Sequence, residues 1–158
     1  MRIREARLGD EAVMARVSVD SYQAAHRDHI PEESLMLYTY EESERNWART
    51  LREQSCADER VEYIYIAEND AGDIIGIAMG GPESSNQPLY TGAIYFLYLL
   101  PAYHRRGIGR QLTISVVERL VEHGMDSLLI RALKANAPAR RFYKALWGQP
   151  VLTECCKV

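Results

Sequence analysis

With 158 residues, 47% of them hydrophobic and 26% charged, the chain suits a single domain over residues 1–158 built on one core, with no room for a second. A formal net charge of −3 argues against nucleic-acid binding, no apolar run is long enough to span a bilayer, and the first residues, with Arg2, Arg4 and Glu5, lack the apolar centre of a signal peptide, so no membrane partner and a cytoplasmic location are expected. Cys56, Cys155 and Cys156 are odd in number and lack metal-ligand spacing, and Lys157 spoils the terminal Cys156-Lys157-Val158 as a prenylation box; free thiols, no metal and no lipid anchor are the expectation.

In chain order, Met1 to Arg7 reads as a strand. Asp10 can cap a helix running to about Tyr22 with Val13 and Val17 facing inward. Pro31 interrupts, and helical sequence resumes from about Glu41 to Glu53. Val61 to Glu68 and Asp73 to Gly80 flank the turn signal Asn69-Asp70-Ala71-Gly72 and predict an antiparallel hairpin with an exposed tip. Gly81 to Leu89 is a loop, and Thr91 to Leu100 is almost wholly apolar or aromatic, as a buried strand would be. Ile108, Leu112, Val116 and Leu120 then recur at helical spacing, Gly124 ends that helix, and Ser127 to Leu133 predicts another strand. The order of strand, helices, three strands, helix, strand, helix and a final strand predicts a mixed α/β sandwich rather than a repeated doubly wound unit.

The most informative stretch joins the apolar strand to the next helix: Tyr103-His104-Arg105-Arg106-Gly107-Ile108-Gly109-Arg110. Glycines at 107 and 109 permit a sharp turn and close approach of a ligand to the backbone, and the first N–H groups of the helix have no partner inside it. The helix dipole adds roughly half a positive charge there, and Arg105, Arg106 and Arg110 add their own. The combination makes an anion cradle; a plain strand-to-helix connection with solvated arginines stands beside it as the alternative. Residues 104–144 carry nine Lys/Arg against Glu118, Glu122 and Asp126, whereas the remainder is acidic, so positive potential gathers where the cradle lies. A dinucleotide-binding turn would need glycine where Leu112 stands, and a phosphate-loop nucleotidase would need Lys-Ser or Lys-Thr after the turn; neither is present.

A second segment, Asn136-Ala137-Pro138-Ala139-Arg140-Arg141-Phe142-Tyr143-Lys144-Ala145-Leu146, follows at ordinary spacing. Together the two resemble the GCN5-related N-acetyltransferase (GNAT) superfamily, whose pattern is Q/R-x-x-G-x-G/A after the fourth strand and N-x-x-A-x-x-F-Y-x-x-L-G-F on a later helix. Ser21-Tyr22-Gln23-Ala24-Ala25-His26 with Ile30-Pro31 is similar to the first-helix segment of many bacterial members.

The resemblance implies a mixed, mostly antiparallel central sheet flanked by helices, with acetyl-CoA as cosubstrate. It implies that backbone groups of Leu99 and Leu100 pair with the pantetheine arm like an added strand, while N–H groups from Arg105 through Arg106, Gly107, Ile108 and Gly109 to Arg110 wrap the pyrophosphate. His104 stands where the family has Gln or Arg; imidazole donates one hydrogen bond but cannot imitate the arginine fork, leaving a contact or an exposed structural histidine. Asn136 is a CoA contact or a helix cap, and Pro138 is tolerated near that helix start. Tyr143 occupies the family position for the general acid that protonates the departing thiolate; Phe142 is expected in the core.

The base is open. An alkyl ammonium of pKa near ~10.4 is only about one part in a thousand neutral around pH 7.4. The relatives' glutamate near the start of the fourth strand has no counterpart in Gly92 to Leu99; a water chain, Glu68, Tyr95 or His26 are the substitutes. Glu41, Glu42, Glu44, Glu53, Asp58 and Glu59 would suit a cationic acceptor or form a solvated face. After Leu146 come Trp147-Gly148-Gln149-Pro150 and then Val151 to Val158, enough for one final strand but not the usual two. The shortened C-terminal end leaves a sheet edge that a second copy of the chain would cover as a homodimer, or a short sheet stable alone. The expected activity is direct acetyl transfer to a primary amine of a small-molecule or peptide acceptor; the alternative is a non-catalytic acyl-CoA-binding sensor or interaction module.

Overall fold

A computed structural model describes residues 1–57, 59–85 and 89–146. The expected final strand, the displaced glycine at 148 and the sheet edge offered to a second copy therefore lie outside the described residues, as does Asp58. The elements are β1 (Arg2–Glu5), α1 (Glu11–His26), α2 (Glu32–Leu35), α3 (Tyr40–Cys56), β2 (Tyr63–Glu68), β3 (Ile74–Pro82), β4 (Gly92–Leu99), α4 (Ile108–Glu122), β5 (Leu128–Ile130) and α5 (Ala137–Leu146). The five strands form one sheet in the order β1-β2-β3-β4-β5, antiparallel except for the parallel pair β4 and β5. The fold is the mixed, mostly antiparallel α/β arrangement that the strand and helix order predicts.

Period-two alternation divides the core between the sheet's faces. Ile64, Ile66, Ile77 and Met79 meet Met14 and Val17 of α1 and Trp47 and Leu51 of α3 on one face. Tyr63, Ala67, Ala78 and Ile94 meet Ile108, Leu112, Val116 and Leu120 of α4 on the other. The Trp47 indole donates to Ser18 Oγ at 2.9 Å, which satisfies two buried polar groups where α1 crosses α3. Gly80 lets α4 lie close to the sheet: a Cβ there would meet Val116 at 2.6 Å and the Ala93 carbonyl oxygen at 2.8 Å.

The β2–β3 hairpin forms as its turn residues predict. Asn69 Oδ1 accepts from the N–H groups of Ala71 and Asp73, Gly72 takes φ +87°, and the tip is exposed. Gly124, at φ +80°, likewise ends α4.

Three local expectations are corrected. Asp10 precedes α1 but makes no side-chain cap; its carboxylate accepts from both terminal nitrogens of Arg4, at 2.7 and 2.9 Å, and from Arg7 N–H. A buried guanidinium is the stronger competitor for that carboxylate. Val13 is 43% exposed, because the inward stripe runs instead through Met14, Val17, Ser18 and Ser21. The strand predicted over Ser127 to Leu133 pairs only from Leu128 to Ile130, for a reason that also creates the site.

Candidate active site

β4 is paired on both sides only at its start. Against β3 its register runs from Gly76↔Leu99 to Met79↔Phe96 and resumes at Gly80↔Ile94, so Tyr95 is one residue too many, a bulge. Tyr95 and Phe96 consequently face the same side, Tyr95 against the core under α1 and α3 and Phe96 edge-on to Trp47 at 6.3 Å. On the other side β5 follows β4 only through Gly92, Ala93 and Ile94. Past the bulge the two strands part, and a cavity of ≈ 140 Å³ lies in the gap. Tyr95, Phe96 and Tyr98 of β4 line it, together with Arg131 and Leu133 after β5, Asn136 and Tyr143 at α5, and His26 at the end of α1.

The gap-facing edge of β4 keeps free backbone. Leu100 N–H donates to Ile75 O at 3.0 Å; alternation along an antiparallel strand then turns the main-chain groups of Leu99 and Leu97 away from β3. His104 Nε2 lies 2.8 Å from Leu99 O, so the imidazole is tied to the strand end. Leu100 N–H is already committed to β3, which leaves Leu97 and Leu99 as the residues with main chain turned to the gap.

A single 3₁₀ turn, Pro101–Tyr103, reverses the chain, and Arg105 at φ 62° and Gly107 at φ +80° lead into α4. No Cβ at Gly107 would meet anything within 4 Å, so its glycine answers to the positive φ alone. Gly109 has a different reason: its Cβ would approach the Phe142 ring at 3.3 Å, and the missing side chain lets α5 lie on the start of α4. α4 has no side-chain cap, and its first backbone bond closing from outside the helix is Gln111 N–H to Gly107 O at 3.1 Å. The N–H groups of Arg105, Arg106, Gly107, Ile108, Gly109 and Arg110 thus find no protein acceptor among the described residues. The Ile108 side chain is buried in the core, so it offers a ligand only its main chain. Arg105, Arg106 and Arg110 are exposed and form no ion pair among the described residues; Arg106 lies over the Tyr103 ring at 5.3 Å.

Asn136 is a cap: its Oδ1 accepts from Ala139 N–H at 3.1 Å at the start of α5, and it also lines the cavity. That cap places Tyr143 two turns on, half-buried, with burial pushing its phenol up to about 12. Its hydroxyl makes no hydrogen bond among the described residues.

The substitute bases separate clearly. Glu68 accepts from Arg4 Nε at 2.7 Å in the β1–β2 pair and does not line the cavity. Tyr95 Oη donates to Pro82 O at 2.5 Å, and burial pushes that phenol up to about 12. His26 stands against Tyr22, ring centroids 4.6 Å apart, with Nδ1 sealed from solvent and without a partner among the described residues. Burial, then the neighbouring His29, holds that imidazole below its ordinary pKa. Glu41, Glu42, Glu44, Glu53 and Glu59 are exposed and none lines the cavity. The bulge at Tyr95, Arg131 and the stacking of Phe96 on Tyr98, centroids 5.7 Å apart and planes within 14°, are features of the site that the sequence reading missed. An unbroken apolar run carries no mark of the bulge.

Residues 20–148 match the family described as Acetyltransferase (GNAT) family. The chain belongs to that family, and with it to the acetyltransferases. It is 33% identical over 144 residues to the Bacillus subtilis (strain 168) protein named uncharacterized N-acetyltransferase YuaI, covering 90% of this chain and 77% of that one. Its fold is that of PaiA N-acetyltransferase from Thermoplasma acidophilum in complex with coenzyme A (TM-score 0.77, 18% identity, 91% of this chain and 86% of the other). It is also that of aminoglycoside 6'-N-acetyltransferase AAC(6')-IG from Acinetobacter haemolyticus (TM-score 0.65, 15% identity, 100% and 99%). No helix of the described residues is long and apolar enough to cross a membrane.

Proposed function

We propose that residues 1–158 form one acetyl-CoA-dependent N-acetyltransferase domain that transfers the acetyl group directly to a primary amine. The observation that carries this reading is the row of unbonded N–H groups from Arg105 to Arg110 at the head of α4, beside a gap that holds Tyr143. The donors fit a pyrophosphate: six backbone N–H groups, an open backbone at Gly107 and three unpaired guanidiniums converge on one end of a helix. The free main chain of Leu97 and Leu99 fits an amide-bearing arm laid along β4. When bound, acetyl-CoA supplies an activated acyl carbon and a thiol leaving group.

The chain's own residues supply the rest. His104, tied to Leu99 O, fixes the corner between the strand and the turn. Asn136 holds the start of α5 and so the position of Tyr143. Tyr143 Oη, kept protonated by burial well above neutral pH, carries the proton that the departing sulfur needs. Strand N–H groups beside the bulge stabilise the charge that develops on the acyl oxygen. A non-catalytic acyl-CoA sensor would need the cradle but not a half-buried phenol with an unbonded hydroxyl facing the gap. A cytoplasmic setting suits a reaction that draws on acetyl-CoA.

The test is release of free thiol from acetyl-CoA against a panel of amines, with binding followed by calorimetry on the same preparation. Amine-dependent release is expected. Binding without release across the panel supports the sensor, and absence of binding removes both readings.

A further inference from the structure

The geometry points to an acceptor whose nitrogen enters the cavity uncharged, specifically an arylamine; this rests on the acetyl-transfer reading above. The cavity contains no carboxylate among the described residues, and the one permanent charge on its wall is the Arg131 guanidinium, which would repel an ammonium ion. Glu83, the nearest carboxylate to that wall, is bound to Arg131 at 3.1 Å and to Ser85 N–H at 2.6 Å. The other titratable groups facing the space, His26 from α1, Tyr95 and Tyr98 from β4 and Tyr143 from α5, are all shifted toward their neutral forms, chiefly by burial. A cation entering such a site loses its hydration and gains no counter-charge.

The same conclusion removes the missing base. For an ammonium acceptor, forming the C–N bond and breaking the C–S bond releases two N–H protons; one ends on the sulfur and one must be exported to a base. For a neutral amine, one N–H proton is released and the sulfur takes one, so the reaction balances with nothing exported. One phenol can then serve both ends: Tyr143 gives its proton to the sulfur as the amine nitrogen returns one to it. No carboxylate is needed, which matches the wall as built.

The aromatic half of the inference comes from the shape and lining. Phe96 is 43% exposed, stacked on Tyr98 and edge-on to Trp47, an exposed ring at the cavity with no helix laid over it. A cavity of ≈ 140 Å³ is close to the size that accepts a benzene ring in an apolar site (about 150 Å³), and ring-on-ring contact favours an aromatic acceptor over a hydrated alkyl chain.

The test uses two isomers of one formula, 4-methylaniline and benzylamine, with the full chain and acetyl-CoA at pH 7.4. The first is a neutral arylamine and the second mostly an ammonium ion. Thiol release should show kcat/KM at least ~10-fold higher for 4-methylaniline. Leu133→Glu, at a 41% exposed position on the cavity wall, should supply the missing counter-charge and reverse that preference. Equal or better use of benzylamine by the unmodified chain overturns the inference while leaving the acetyltransferase reading intact. Release from neither isomer, with acetyl-CoA bound, overturns it too; failure to bind acetyl-CoA instead removes the reading on which it rests.

Discussion

Tyr143→Phe tests the acid assignment with little structural disturbance. The hydroxyl makes no hydrogen bond among the described residues, so deleting it strands no buried partner, and the ring keeps its edge contact with Phe142 at 5.2 Å. The melting temperature should stay within about 2 °C of the parent. The rate should not. A phenol raised to about 12 is a poor donor to an ordinary thiolate of pKa near ~8.5, by roughly 3.5 units or ~5 kcal/mol at equilibrium. The burial that raises the phenol also raises a thiolate formed in the same gap, which narrows that mismatch without closing it. The expected loss therefore sits at the lower end of general-acid effects, about 10²-fold in kcat, or ~2.7 kcal/mol. Single-turnover thiol release at saturating acetyl-CoA measures it free of binding. Because the phenol stays protonated, the parent's kcat should show no loss from this group below about pH 11. A variant within twofold of the parent in kcat, with its fold intact, refutes the acid role.

Gly107→Val forces a β-branched residue to φ +80° and should cost about 1–2 kcal/mol of stability; it should weaken acetyl-CoA binding by 10-fold or more in calorimetry, since the new side chain projects into otherwise open space at the cradle. Gly80→Ala sets a Cβ 2.8 Å from the Ala93 carbonyl oxygen, a backbone atom that cannot swing aside, and about 1–3 kcal/mol should be lost in urea unfolding. Burial works to raise the Asp10 carboxyl, but the bidentate Arg4 and Arg7 N–H outweigh it and hold the group below its usual range. That stabilisation is complete above the unfolded carboxylate pKa near ~3.9 and is lost as pH falls through the lower folded value. Arg4→Met should destabilise by about 3–5 kcal/mol at pH 7, because Asp10 and Glu68 are left without their shared cation, and the deficit should shrink below pH 4; a pH-independent deficit would assign the loss to packing.

Much of the fold was legible because each signal was local. Asn69 through Gly72 specify their own turn, Gly124 ends α4, and the spacing of Ile108, Leu112, Val116 and Leu120 marks the face that meets the sheet. The cradle was legible for the same reason, since a glycine at positive φ and an uncapped helix start are properties of consecutive residues. What escaped depends on partners distant in sequence. Asp10 has the residue type of a cap, but Arg4 on the neighbouring strand takes its carboxylate. Gly109 reads as a second ligand-facing glycine, yet its missing side chain is filled by Phe142, thirty-three residues on. Glu68 is as plausible a base as any glutamate until β1 brings Arg4 against it.

The parting of β4 from β5 unites the cradle and the cavity into one site. β5 follows β4 through Ile94, then the bulge at Tyr95 rotates the rest of β4 so that its free edge, Leu97 and Leu99, has no strand beside it among the described residues. From Tyr95 to Leu99 that edge runs four residues, roughly 13 Å, and the 3₁₀ turn then delivers the backbone to the unbonded N–H groups at α4. Anion donors at one end, a phenol at the other and a stretch of free strand edge between them define the ligand by its parts: a polyanionic head, a linear arm able to pair like a strand, and a reactive terminus. Had β5 followed β4 to Leu99, the arm's place would be filled and the cradle would face a closed sheet, so the site depends on one extra residue at position 95.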